Sequence, residues 1–261
     1  MKIDSNAESN VNRWATSLLY PLPLLAVLIF WQMYSGSDAH RQFIFSSPAQ
    51  VWDTCTKLVL NGELAKNAAT TILEALTGFA MGTAMGAAIG LSLWYSKTIA
   101  KLSKPYIAAL GSIPIFALSP MIISWFGIGI LSKIMLAFIS TVVVAIVQSY
   151  QGAMTVEPRF LRSMHVIGAS RFQTFRIVIM PSSLIWVLNA MKLNIGLALL
   201  GAFIGEFISS EQGLGYMIVR ASGLYDMATV IVGVFTLVVI ALCFTMMIEQ
   251  IERKLLPWRE H

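Results

Sequence analysis

Charge is what this chain has least of. Asp, Glu, Lys and Arg together make up 12% of its 261 residues, about half the share usual in soluble domains. Hydrophobic residues reach 57%. A soluble particle of this size has no interior able to hide so much apolar surface, so a bilayer is the solvent that fits. Cysteine is nearly absent too. Cys55 and Cys243 are the only two, and their separation excludes a disulfide framework or a metal-binding spacing. No run matches the Gly-x-x-x-x-Gly-Lys-Ser/Thr loop that cradles nucleotide phosphates. His40, His165 and His261 stand alone. No paired carboxylates, nucleophile constellation or metal cluster stands out, so neither a catalytic residue nor a metal site is expected. The net charge of +5, in so apolar a chain, matters through its placement and not as a signal for nucleic acid.

What is there is a series of long apolar runs. A membrane helix needs about 20 mostly apolar residues. Six stretches qualify: 17–34, 68–95, 105–126, 130–152, 183–208 and 226–248. The expectation is an all-α integral membrane protein with about six transmembrane helices. No small-x-small cleavage site follows the first run, so it is read as an uncleaved span and not a signal peptide. With the N-terminus inside, twelve cations fall on the cytoplasmic side, five outside, and Lys192 within a span. Lys133 is counted among the outer five. This asymmetry predicts both termini in the cytoplasm. The expected organisation is an N-terminal tail (1–16), a transmembrane domain (17–253) and a C-terminal tail (254–261). Ala49–Leu60, in the outer loop, is expected to lie along the surface.

Gly78, Gly82, Gly86 and Gly90 recur every fourth residue and form a ridge without side chains, where another helix can approach closely. Gly201 and Gly205 repeat the device. Pro105, Pro114 and Pro120 crowd the third span and predict a bent helix whose freed carbonyls need new partners.

The largest cytoplasmic loop, 153–182, reads as two short helices. Pro158 suits a first turn, Gly168 an end, and Ser170 the cap of the next helix. Phe160, Leu161, Met164 and Ile167 share one expected face. Phe172, Phe175 and Ile179 share another, with arginines including Arg162 pointing elsewhere. So short a pair needs a surface to pack on. Membrane lipid and a soluble partner fit equally well on physics alone.

Gly168-Ala169-Ser170, closed by Val178-Ile179-Met180-Pro181, resembles the cytoplasmic loop of ABC importer permeases. Ile113-Pro114 to Ser119-Pro120 with Trp125-Phe126-Gly127-Ile128-Gly129, and Glu206 with Gly213-Leu214-Gly215-Tyr216, resemble flanking blocks of the branch that imports nitrate, sulfonates, taurine and pyrimidine-type vitamin precursors. The resemblance runs from about Thr70 to Arg253. It implies a binding-protein-dependent permease in the bacterial inner membrane with no cofactor of its own, ATP and Mg being held by a separate ABC ATPase. The loop would be the coupling element that docks on that ATPase, an external binding protein would deliver solute, and a second copy would complete the path. One departure is visible. Where the family opens the loop with an acidic residue and two alanines, this chain has Arg162-Ser163-Met164.

Polar groups within the spans are the candidates for lining a path: Lys192, Asn189, Gln148 and Glu206, alongside Asn194 and Ser149. Lys192 can equally snorkel or pair with an acid, and Glu206 can equally hold a neighbouring helix. Glu74 is expected to reach water. Lys192 and Glu206 are fourteen residues apart, roughly 21 Å along one helix, too far to pair. Two rivals compete with the permease. An ion-gradient-driven secondary transporter calls for an internal repeat and carboxylates near the bilayer centre. A membrane-embedded enzyme calls for a His/Asp/Glu cluster at one depth. The sequence displays neither pattern clearly.

Overall fold

The computed structural model describes residues 22–36 and 38–255. The tail 1–16, the start of the first expected span (17–21), His261 and most of the C-terminal tail lie outside those residues. Among the described residues every regular element is helical. In chain order these are α1 (Leu22–Gly36), α2 (Ala39–Phe45), α3 (Pro48–Leu60), α4 (Glu63–Ser92, followed by a 3-10 turn Leu93–Tyr95), α5 (Lys97–Ser112), α6 (Ile115–Phe126), α7 (Ile130–Met154) and α8 (Pro158–Val166). Then come α9, which runs unbroken over Arg171–Ser209, α10 (Leu214–Gly223) and α11 (Met227–Leu255). Four segments are long and apolar enough to cross a membrane: Glu63–Tyr95, α7, α9 and α11. A fifth span results if α5 and α6 count together.

The glycine ridge of α4 lies against α7. A Cβ built on Gly78 would meet Ala137 Cβ at 2.4 Å, one on Gly82 would meet Thr141 Oγ1 at 2.0 Å, and one on Gly86 would meet Ala145 Cβ at 2.5 Å. Gly201 and Gly205 of α9 press on α7 from another side, against Ala137 Cα and Lys133 Cγ. So α7 sits between two helices that both reach it through missing side chains. Dispersion at this distance, not exclusion of water, holds helices together in lipid.

The expected third span is corrected. It is not one bent helix but two, α5 and α6, set at 92°. The break falls at Ile113–Pro114. Proline drives the residue before it out of the helical region, and Ile113 is extended (φ −76°, ψ 122°). Pro120 lies inside α6 without breaking it. It has no N–H for the Phe116 carbonyl, and the Ser119 hydroxyl donates there instead at 2.6 Å. The same missing donor at Pro181 coincides with a π-helical turn, Phe175–Ile179, through which α9 continues. The second loop helix expected at Ser170 therefore starts where the sequence places it, but forms the first turns of α9.

The segment Ala49–Leu60 falls within α3, which packs Val51, Cys55 and Leu58 on the bundle core and leaves Trp52 exposed.

Candidate functional site

α8 is punctuated as its sequence predicts. Pro158 occupies the first turn, where a missing N–H costs nothing. At the far end the Gly168 N–H donates to the His165 carbonyl and the Ala169 N–H to the Met164 carbonyl, both at 3.0 Å. This double closure requires a left-handed residue, and Gly168 has φ +71°. Ser170 then caps α9. Its hydroxyl accepts the Gln173 N–H at 3.2 Å, and the Gln173 side chain accepts the Ser170 N–H at 2.7 Å. The turn from α8 to α9 is thus hydrogen-bonded on both sides of Gly168.

The face expected to carry Phe160, Leu161, Met164 and Ile167 together is divided. Met164 is buried and Leu161 half-buried, whereas Phe160 and Ile167 are exposed. Only the middle of α8 is covered and its ends stand clear. Arg162 is exposed, as are Ser170 and Phe172, while Ala169 is half-buried. Pro181 is exposed on the side of α9. Phe175 points back, its ring 4.9 Å from that of Tyr95 and 5.9 Å from that of Trp94. The Arg171 guanidinium reaches the Tyr95 carbonyl at 3.5 Å. Trp94, Tyr95, Ser96, Lys97, Leu161 and Arg171 line an open cleft of about 560 Å³. The sequence reading missed Trp94 and Tyr95 as the seat of this loop. An aromatic pair at the end of a span was the available signal.

At the other end of the bundle Glu206 is buried among backbone donors. One carboxylate oxygen accepts the Thr71 hydroxyl at 2.6 Å and the other accepts the Gly215 N–H at 2.6 Å. The Leu214 N–H donates to Thr71 Oγ1 and the Gly213 N–H to Asn67 Oδ1, each at 2.9 Å. The start of α10 is thus capped by α4 and α9 rather than by its own N-cap residue, Gly213. Glu74 does not reach water. It is 2% exposed and lies beside Glu206, bordering a cleft of about 430 Å³ that Lys133 also lines. Lys133, counted above as an outer cation, is 1% exposed. Its ammonium donates to the carbonyls of Ile128, Gly129 and Ser209, a favourable place for a cation at a helix C-terminus.

The four residues expected to line a path are not joined to one another by any hydrogen bond or ion pair among the described residues. Lys192 pairs with Glu252 of α11 at 2.5 Å. Asn189 is half-buried on α9. Gln148 carries a buried oxygen without a partner among the described residues, as do Ser149 and Asn194. The Asn194 amide donates to Thr83 Oγ1 at 2.9 Å, a tie between α9 and α4. The Lys192–Glu252 pair carries a prediction. Lys192→Met takes the ammonium away from the Glu252 carboxylate, whose side chain is 14% exposed, and is expected to cost about 1–3 kcal/mol, the range for a hydrogen bond to a charged group. Lys192→Met combined with Glu252→Leu is expected to recover most of it, as read by thermal melting in detergent.

The family described as "Binding-protein-dependent transport system inner membrane component" matches residues 78–257 of the chain. The riboflavin transport system permease protein RibX of Chloroflexus aurantiacus is 31% identical, over 91% of this chain and 89% of its own. The putative aliphatic sulfonates transport permease protein SsuC of Bacillus subtilis is 28% identical, over 94% and 88%. Among solved structures, a chain of the MetNI methionine ABC transporter, inward facing, aligns with a TM-score of 0.66 at 17% identity, over 75% of this chain and 97% of that one. At that identity the likeness speaks to the fold. The match runs from the glycine ridge through α11, includes the loop, and favours the permease over a gradient-driven transporter. The chain belongs to the binding-protein-dependent transport system inner membrane components, and is a multi-pass permease subunit of an ABC importer.

Proposed function

We propose that α8 and the turn at Gly168 dock on a separate ATPase subunit, which holds ATP and Mg, and that two copies of this chain enclose the translocation path. In this reading both termini and the loop 153–182 are cytoplasmic, with a tail (1–16), a permease domain (17–253) and a second tail (254–261). An external binding protein delivers solute to the opposite face. One observation carries the reading. α8 and the residue after it offer Phe160, Val166 and Ile167 to solvent, while Arg171 and Phe175, in the first turns of α9, rest on Tyr95 and Trp94. A knob of this kind suits a groove on a soluble partner. α9 runs from Arg171, beside that knob, to Ser209 at the far end. A displacement of the loop therefore travels roughly 53 Å along one helix to the Glu206 cluster, where it can switch access from inward to outward.

Gly168→Pro tests the docking. Proline fixes φ near −65°, incompatible with +71°, so the turn must be rebuilt while the spans are untouched. Wild type purified gently from its native membrane is expected to bring an ATPase in fixed ratio. The variant is expected to retain less than about a tenth of it, the loss of affinity that removing a central interface contact produces. Full retention by the variant, or wild type arriving alone under conditions that preserve other membrane complexes, returns the loop to the lipid surface.

On substrate class, a small heteroaromatic solute fits better than an anion. Relatives are named for riboflavin and for aliphatic sulfonates, so both classes enter. Lys192, the cation expected within a span, would be the natural partner for an anion, but its ammonium is already held by Glu252. The ammonium of Lys133 is occupied by three carbonyls. The Lys192→Met/Glu252→Leu chain is accordingly expected to sustain uptake by the complete transporter, and loss of uptake with normal folding would favour an anion.

A further inference from the structure

Among the described residues only two that are not glycine have left-handed backbone, Ser46 (φ +54°) and Tyr225 (φ +60°). They border one and the same cleft, of about 320 Å³. Ser46 joins α2 to α3. Tyr225 joins α10 to α11 at the position where a helix end normally takes glycine: the Asp226 N–H closes on the Ala221 carbonyl at 2.9 Å, and the Tyr225 N–H on the Ser222 carbonyl at 3.1 Å. A side chain as large as tyrosine is unfavourable there. Its ring stacks on Phe43, with centroids 5.9 Å apart and planes at 26°. The strained turn therefore holds an aromatic shelf that a glycine would not provide. Strain retained at the edge of a cleft points to a use for what it positions.

The shelf faces solvent, with Phe43 58% and Tyr225 64% exposed. The remaining walls are mixed, with Met227 and Ala228 beside polar groups. Gln50 and Thr54 are neutral, and the charged residues are Asp53, Lys57 and Asp226, the last also accepting the Thr229 N–H and hydroxyl. Aromatic side chains with sparse charge are what transient protein interfaces present. The cleft belongs to α2, α3 and the α10–α11 turn, not to the trio of α4, α7 and α9 packed through glycines. Its occupant sits on the flank of the bundle, which suits a docked protein better than a solute in transit. The cleft also lies at the Glu206 end, since α3 leads into α4, whose first turns hold Asn67 and Thr71. α8 follows α7 at the opposite end.

We propose that this cleft is the docking point for the external binding protein, with the Phe43–Tyr225 shelf taking an apolar knob and Asp53 with Asp226 taking a basic side chain beside it. The proposal rests on the reading above, in which the face opposite α8 is external.

The test uses the complete transporter in proteoliposomes and the purified binding protein that supports uptake by wild type. The quantity read is the concentration of binding protein giving half-maximal ATP hydrolysis. Asp53→Lys reverses one charge on an exposed helix face and leaves folding intact. Tyr225→Gly removes the ring and relaxes the turn, so its melting temperature does not fall below wild type. Each is expected to raise the half-saturating concentration about tenfold, and Asp53→Lys also to flatten its dependence on salt. Lys66→Glu, at the same end on an exposed turn of α4 and outside the cleft, is expected to match wild type. Wild-type values for both cleft variants, or an equal rise for Lys66→Glu, overturn the proposal. If the binding protein fails to stimulate wild type itself, the partnership is wrong and the cleft falls with it.

Discussion

Leucine in place of Gly82 is expected to destabilise the folded protein severely. A Cβ at Gly82 would lie 2.0 Å from Thr141 Oγ1 and 2.8 Å from the Phe138 carbonyl oxygen. The hydroxyl can turn away but the carbonyl belongs to the α7 backbone. Three further carbons have nowhere to go unless α4 and α7 separate. Separation is not local, because Gly78, Gly86 and Gly90 repeat the contact above and below. Overpacking a core costs about 1–3 kcal/mol when side chains alone adjust. Here a backbone must move, so the loss is set at more than about 3 kcal/mol, out of a total near 5–15 kcal/mol. No hydrophobic driving force returns in lipid to hold the separated helices. The melting temperature in detergent is expected to fall by more than about 6 °C, the shift that more than about 3 kcal/mol produces in a chain of this size. Gly196 is the contrast. It lies in α9 with nothing within 4 Å of its would-be Cβ, and Gly196→Ala is expected to keep wild-type yield and melting. A wild-type melting temperature for Gly82→Leu would refute the close-packed ridge.

That ridge was legible in the sequence because its signal is local, one glycine every fourth residue. The loop punctuation was legible for the same reason, since Pro158, Gly168 and Ser170 act on their own turns. The third span was only half legible. Its prolines look alike in sequence, but Pro114 follows a residue that went extended, while the carbonyl freed by Pro120 was taken up by Ser119. Only the fold distinguishes the two. The charged groups were least legible, because their partners are remote in sequence. Lys133 is held by a carbonyl at Ser209, Glu206 by Thr71, and Lys192 by Glu252. Read alone, Lys133 and Glu74 belonged to the outer surface. In the bundle they are buried in one cluster. The Phe43–Tyr225 shelf was invisible for a further reason: nothing in the local sequence marks Tyr225 as standing in a glycine's place.

The cluster around Glu206 supports the second large prediction. Gly213 has φ +109°, and a Cβ there would fall 2.2 Å from the Glu206 carboxyl carbon. Gly213→Ala therefore combines a backbone conformation that alanine resists with a clash against a buried carboxylate. The start of α10 is expected to detach and the melting temperature to fall by several degrees, the shift that about 1–3 kcal/mol produces. Glu206→Ala fails for a different reason. It leaves the Gly215 N–H without its acceptor, at about 1–3 kcal/mol, leaves the Thr71 hydroxyl only the Asn67 carbonyl, and opens a cavity as well. It is expected to be the more damaging of the two. Glu206→Gln keeps the shape but exchanges one acceptor for a donor, so a single bond is lost and the smallest drop follows. In the double variant, Glu206→Ala removes the atoms that Gly213→Ala strikes. The two effects are then expected to sum to less than the separate losses, by about 0.5–3 kcal/mol for groups in contact. The same series separates structure from transport. A carboxylate that served substrate would leave Glu206→Gln with a wild-type melting temperature and a raised KM for uptake. A carboxylate that holds α10 to α4 and α9 lowers the melting temperature in all three single variants, most for Glu206→Ala, less for Gly213→Ala and least for Glu206→Gln. It also shows the coupling between positions 206 and 213 whether or not solute is present.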